Sequence, residues 1–213
     1  MKYRLTFILL SSLLCLTCRA QKAVSPQEQK QMVAQVEKAA AGIKTMQCDF
    51  TQIKHLSLLN NEMKSTGKMY CKNGNMLRWE YTSPYKYCFV LNGNKVMLKD
   101  AGNKTNVIDV KSSKLFQEIT RIMMNSITGE CLSRHEDFSV AMYKSDKEWE
   151  AKLTPLKKEM SKMFSLITLH IKATEKRVIR VEMKERTGDV TDIYLQQVKE
   201  NAPIADNIFS IGK

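Results

Sequence analysis

The sequence predicts a mainly β protein of the α+β class. It is one antiparallel sheet of about eleven strands, curled into an incomplete barrel, with an N-terminal helix and a central lid helix covering its concave apolar face. Three observations carry this. From Thr45 onward, apolar and polar residues alternate with period two in run after run. Turn residues separate the runs. Two stretches instead keep helical spacing, 26–43 and 112–128.

The chain has 213 residues, of which 43% are hydrophobic and 26% charged, so it can build a core. With 8 Gly and 4 Pro it is neither collagen-like nor a linker. The first twenty residues read as a secretory signal peptide. Lys2 and Arg4 precede the apolar run Leu5 to Leu16, and Cys18-Arg19-Ala20 offers small residues for cleavage before Gln21. The run is too short to span a bilayer. Residues 21–213 then form one exported domain. The whole chain's 34 Lys+Arg and 22 Asp+Glu give +12, and losing Lys2, Arg4 and Arg19 lowers this to +9 for residues 21–213. A basic exported chain suits anionic lipid or an acidic partner. Export and scattered lysines argue against nucleic acid.

The N-terminal helix begins at Ser25-Pro26-Gln27-Glu28. Ser25 caps it, Pro26 fits the first position, and Glu28 completes a capping box. Met32, Val33, Val36, Ala39, Ala40 and Ile43 follow on its apolar side. Met46, Cys48 and Phe50 open the first strand. Met69 and Cys71, then Leu77, Trp79 and Tyr81, then Tyr87, Phe89 and Leu91, then Val96 and Leu98 continue the apolar face. The turn after Lys72 decides the register. A two-residue loop puts Trp79 on the wrong side, whereas a three-residue loop, with Gly74 or Asn75 left-handed, pairs Cys71 with Leu77 and Met69 with Trp79. Ser83-Pro84-Tyr85 likewise sets Tyr81 beside Tyr87. Asn92-Gly93, as a two-residue hairpin, pairs Phe89 with Val96. Arg78 alternates with Trp79 and faces the other way.

Ser112 or Ser113 caps the central helix, and Leu115, Phe116, Ile119, Ile122, Met123 and Ile127 form its apolar side. Gly129 stops it. Further strands are expected at 105–110, 137–143, 148–154, 163–172, 177–185 and 190–198.

No catalytic constellation stands out. His55, His135 and His170 lie in no metal spacing, and His170, on the polar side of a strand, reads as a solvated histidine. Asp49, Glu80 and Asp100 form no evident acid–base pair. No cofactor, metal or enzymatic activity is expected. Cys48, Cys71, Cys88 and Cys131 match no metal spacing. A Cys48–Cys71 disulfide requires direct opposition, with Cα atoms roughly 5.5 Å apart. Cys88 belongs to the opposite face. The sheet and two apolar helices make either an ordinary core or a lipid-binding concavity, which the 13 methionines suit.

Asp49-Phe50-Thr51-Gln52, Gly67-Lys68-Met69-Tyr70-Cys71-Lys72, Leu77-Arg78-Trp79-Glu80-Tyr81-Thr82-Ser83-Pro84 and Asn92-Gly93-Asn94-Lys95-Val96 occur in this order. Leu153-Thr154-Pro155 and Phe209 follow. The ordered set resembles the periplasmic outer-membrane lipoprotein carrier family, LolA. The resemblance implies an incomplete barrel with a helical lid. It also implies a non-enzymatic, monomeric carrier that takes lipoprotein acyl chains from an inner-membrane ABC transporter to an outer-membrane acceptor. The expected apolar site is Phe50, Met69, Leu77, Trp79, Tyr81 and Phe89 on the sheet, with Leu115, Phe116, Ile119, Ile122 and Met123 on the lid. A glycolipid-binding or envelope-stress-sensing protein on the same scaffold is the alternative. The turn that reads Lys-Arg-Pro in the family reads Lys72-Asn73-Gly74 here, so the arginine that latches the lid is missing.

Overall fold

The computed structural model describes residues 22–59, 61–72, 75–112, 124–125 and 128–211. The segment 1–20, the turn residues Asn73 and Gly74, and Leu115, Phe116, Ile119, Ile122 and Met123, which the sequence assigns to the lid, lie outside them.

Strand β1 (Lys22–Ala23) leads into helix α1 (Pro26–Ala41). Ser25 caps α1 as expected, its Oγ accepting from Glu28 N at 3.3 Å. The reciprocal half of the capping box is not made, because the Glu28 carboxylate pairs with Lys144 instead. Met32 and Val36 are the buried residues of α1. The helix ends two residues short of Ile43, with Gly42 at its C-cap.

Six strands follow as a meander: β2 (Thr45–Leu56), β3 (Asn61–Lys72), β4 (Met76–Ser83), β5 (Tyr87–Asn92), β6 (Lys95–Lys99) and β7 (Thr105–Asp109). A second meander comprises β8 (Phe138–Lys144), β9 (Glu148–Pro155), β10 (Phe164–Lys172), β11 (Arg177–Glu185) and β12 (Val190–Glu200). The short helix α2 (Lys158–Met163), which no sequence pattern announces, lies between β9 and β10. β12 pairs with β2, giving the order β1-β8-β9-β10-β11-β12-β2-β3-β4-β5-β6-β7. The described residues thus form one antiparallel sheet of twelve strands, with β1 and β7 as unjoined edges.

The register follows the alternation. Met69 pairs with Trp79 and Cys71 with Leu77, and Asn75 closes the turn at φ +70. Tyr81 pairs with Tyr87. The β5–β6 hairpin departs from expectation. Its loop is Gly93-Asn94, so Phe89 pairs with Leu98 and Leu91 with Val96. Both registers keep the same residues inward. Gly93 decides between them by taking the first central position at φ +59, where a side chain is disfavoured.

The concave side carries two apolar clusters. Met32 and Val36 of α1 pack with Leu153, Leu169, Ile171, Val181 and their neighbours in the β8–β11 half. Met46, Phe50, Met69, Leu77, Trp79, Leu91, Val96 and Leu195 form the other half. Ile193 packs against both, which joins them. Gly129, left-handed at φ +78, lets the chain close onto α1, because a Cβ there would lie 2.7 Å from Val36 Cγ1. On the convex side, the segment ending in the 3₁₀ turn Asp206–Phe209 lies across β4 and β5. It buries Phe209 against Cys88, Val90 and Met97.

Candidate functional site

Alternation in β2, β3, β4 and β5 aims one side chain in two at the concavity. It brings the six sheet residues of the expected site together. Phe50, Met69, Leu77, Trp79 and Phe89 are buried in one cluster, and Tyr81 packs against it. The rings of Phe50 and Trp79 stack with centroids 4.2 Å apart, and Tyr81 meets Phe50 edge-on at 5.2 Å. These geometries suit the ring quadrupoles. Tyr81 Oη donates to Gln52 Oε1 at 2.9 Å, which satisfies the one hydroxyl on this wall. Burial raises the Tyr81 phenol above its ordinary pKa. Tyr87 extends the row outward, its ring 6.3 Å from that of Tyr81.

Met46, Cys48, Leu91, Val96 and Leu195 complete the wall. Their alternation is visible in the sequence, but the pairing of β12 with β2, which brings in Leu195, is not. Gly67 faces Phe50 across the strand pair.

Two cavities adjoin this concavity. One, of about 150 Å³, is bordered by Ile43, Met46, Cys71, Met124 and Thr128. The other, of about 620 Å³, lies along α1 and is lined by Val24, Pro26, Val33, Ala34 and Val140, with Lys30, Glu37 and His135 around it. Its volume lies in the range of small-ligand pockets.

Cys48, Cys71, Cys88 and Cys131 are free and buried. Cys48 opposes Met69 and Cys71 opposes Met46, so the two thiols are diagonal rather than opposed. Burial pushes Cys48 up to about 12 and Cys71 up to about 11. Neither is a nucleophile at neutral pH.

The expectation of a solvated His170 is overturned. It is buried on the convex side. Its Nδ1 lies 2.7 Å from Glu148 Oε1 and 3.6 Å from Glu150 Oε1, while Arg180 Nη2 lies 2.7 Å from Nε2. A guanidinium can only donate, so Nε2 accepts and Nδ1 carries the proton. The nitrogen facing the two glutamates is therefore a donor rather than a metal ligand, although the three residues are spaced closely enough for an ion. His55 instead faces a carboxylate with each ring nitrogen, Nδ1 lying 3.0 Å from Glu62 and Nε2 3.5 Å from Asp192. These are cross-strand ion networks that tie β9 through β3 together. Asp49 and Glu80 both lie opposite Lys68 in the register, and Arg78 Nε pairs with Glu80 at 2.9 Å. Asp100 accepts from Lys104 N within its own turn.

Comparison with known proteins agrees with this geometry. The family model "Outer membrane lipoprotein carrier protein LolA" matches residues 41–212. An outer-membrane lipoprotein carrier protein of Methylococcus capsulatus is 22% identical over 97% of this chain and 92% of its own. Another, from Legionella pneumophila strain Lens, is 28% identical over 80% of each. Among solved structures, an uncharacterized conserved protein from Thermus thermophilus shares the fold with a TM-score of 0.54 at 12% identity, covering 88% of this chain and 96% of that one. With an open antiparallel sheet, an apolar concavity and a family model matched across both meanders, the chain belongs to the LolA family of outer membrane lipoprotein carrier proteins.

Proposed function

We propose that this protein is a periplasmic carrier. It binds the acyl chains of lipoproteins in its apolar concavity and shuttles them from the inner to the outer membrane. The observation that carries the reading is the wall itself. Phe50, Met69, Leu77, Trp79 and Phe89 present a continuous apolar surface, and their burial is complete or nearly so. Fully burying a large apolar side chain is worth roughly 1.5–3 kcal/mol relative to exposure. An acyl chain that displaces the cover of this wall exchanges one apolar contact for another. Loading and release are then nearly balanced, as a shuttle requires. The family names support lipoprotein cargo. On this reading an ABC transporter of the inner membrane delivers the cargo and an outer-membrane acceptor takes it, and the carrier acts as a monomer without catalysis. Leu115, Phe116, Ile119, Ile122 and Met123 belong to the proposed lid.

The chain has two tryptophans, Trp79 in the wall and Trp149 elsewhere. A Trp149→Phe variant therefore reports Trp79 alone. Titration with a triacylated lipopeptide should change Trp79 emission saturably, and mass spectrometry of the purified protein should find acylated peptides. Co-purification of a glycolipid alone, with no response to lipopeptide, would overturn the reading.

A further inference from the structure

In a meander, the turns at one end of the strands share one rim. The registers place 57–59, 84–86, 156–163 and 186–189 along the same end of the sheet. Seven large hydrophobic residues are exposed among those described, and six belong to this rim: Leu58, Leu59, Met63, Tyr85, Tyr87 and Leu156. The seventh, Val107, sits mid-strand on the β7 edge. Leu58 is 93% exposed, Leu59 70% and Tyr85 75%. Apolar residues exposed singly need no explanation, but six of seven at one end of the sheet mark that end as an interaction surface.

The β2–β3 hairpin also projects. The last β3–β4 pair is Thr66 with Ser83, while β3 runs on to Asn61, five residues farther. This carries Leu58 and Leu59 ~17 Å beyond the end of β4. Segments 54–66 and 82–87 hold three lysines and one glutamate. The glutamate, Glu62, pairs with His55. Lys54 pairs with Glu185 and Asp189. Lys64 and Lys86 are exposed and have no ion-pair partner among the described residues. Leucines at a projecting tip, tyrosines behind them and uncompensated lysines beside them match the layering of a bilayer surface: acyl region, interface, anionic headgroups.

We propose that this rim is a membrane-docking surface. Leu58 and Leu59 insert shallowly into a bilayer containing anionic lipid, Tyr85 and Tyr87 lie at the headgroup level, and Lys64 and Lys86 face the lipid phosphates. No helix among the described residues is long and apolar enough to cross a membrane. With two leucines at one turn tip as its inserted part, the contact is peripheral and reversible. Tyr87 belongs both to the rim and to the row that leads through Tyr81 to Phe50 and Trp79. Docking by this rim sets the aromatic wall against the bilayer.

Flotation of the purified protein with vesicles tests this. Vesicles of phosphatidylethanolamine with phosphatidylglycerol should bind the protein, and those of phosphatidylcholine alone should bind it more weakly. Leu58→Asp with Leu59→Asp should lower binding at least ~10-fold. Lys64→Ala and Lys86→Ala should each lower it about 5-fold and flatten the salt dependence. Val107→Asp should leave it unchanged. The Leu58/Leu59 variant should keep its thermal transition and its affinity for detergent-dispersed lipopeptide, which separates docking from the acyl-binding reading above. Failure of the unaltered protein to bind anionic vesicles would overturn the proposal. So would full binding by the Leu58/Leu59 variant, an equal loss in Val107→Asp, or a dimer in sedimentation that Leu58→Asp abolishes while no vesicle binding is seen.

Discussion

The ring of Phe50 fills the space that a side chain at Gly67 would need. A Cβ built at Gly67 would lie 2.5 Å from Phe50 Cζ and 2.1 Å from the Glu80 carbonyl oxygen. The two residues face each other across β2 and β3, and β4 shifts register beside Gly67, between its pairs with Thr66 and Gly67. The missing side chain lets an aromatic ring lie flat on the strand and reach Trp79. Gly67→Ala should destabilise the fold by about 2 kcal/mol or more, since overpacking at a rigid site costs ~1–3 kcal/mol. Urea denaturation measures it. Adding Phe50→Leu should recover only part of the loss, because the Glu80 carbonyl remains in the way.

The buried thiols make stability sensitive to alkali. An unfolded thiol ionises near pH 9, whereas Cys48 resists until about 12 and Cys71 until about 11. Their contribution is fully present below 9 and is lost as pH rises toward those values. Thermal transitions recorded from pH 8 to 11 should fall, less steeply in Cys48→Ala. An aromatic disulfide reagent at pH 8 should label the native thiols slowly and the urea-unfolded ones at once. Rapid labelling of native Cys48 would show that the cluster opens readily.

Arg180 joins His170, Glu182 and Asp192, the last at 3.4 Å. Asp192 is buried, so removing its cation leaves a charge in a poor solvent. Because Arg180 is partly exposed, Arg180→Ala should cost about 1–3 kcal/mol rather than the full penalty of a buried pair. Arg180→Lys should recover little, because one ammonium replaces a fork whose Nη2 reaches His170 and Glu182 while Nε faces Asp192. A melting temperature equal to that of the unaltered protein would contradict this.

Phe209 is fully buried under the convex face, and its carbonyl accepts from Asn92 Nδ2 at 3.1 Å. Arg78 Nη1 reaches the Ile208 carbonyl at 3.3 Å. Phe209→Ala should cost about 3–5 kcal/mol. It should also raise the labelling rate of Cys88, which this segment covers, ahead of Cys48.

Much of the sheet is legible because one face is greasy. A shift of one residue turns every side chain over, so Trp79 alone excludes a two-residue loop after Lys72. A shift of two is invisible to the same reasoning, and the β5–β6 hairpin shows it. His170 illustrates another limit. Alternation places it on the polar side, but that side is not water at mid-sheet, where Glu148 and Arg180 close over the ring. β3 runs on to Asn61 without alternation, because its first residues are exposed on both sides. Phe209 belongs with the family motifs, and nothing periodic in 204–211 tells that it packs outside the barrel. Phe50, Met69, Leu77, Trp79 and Phe89 are legible as one face. The tip at Leu58 and Leu59 carries no pattern, and its meaning comes from where the registers put it.

The pairing of β12 with β2 has a consequence for the order of events during folding. Each meander can form locally as it is synthesised, but the seam between them is Val190 with His55 through Glu200 with Met46. Its two sides are separated by most of the chain. Contacts so distant in sequence make folding slow. Until β12 arrives, β2 and β11 are open edges and both apolar clusters lack their shared residue, Ile193. A nascent chain therefore stays unsealed until β12 has been made and has returned to β2. The strand order thus writes a delay in sealing into the topology itself.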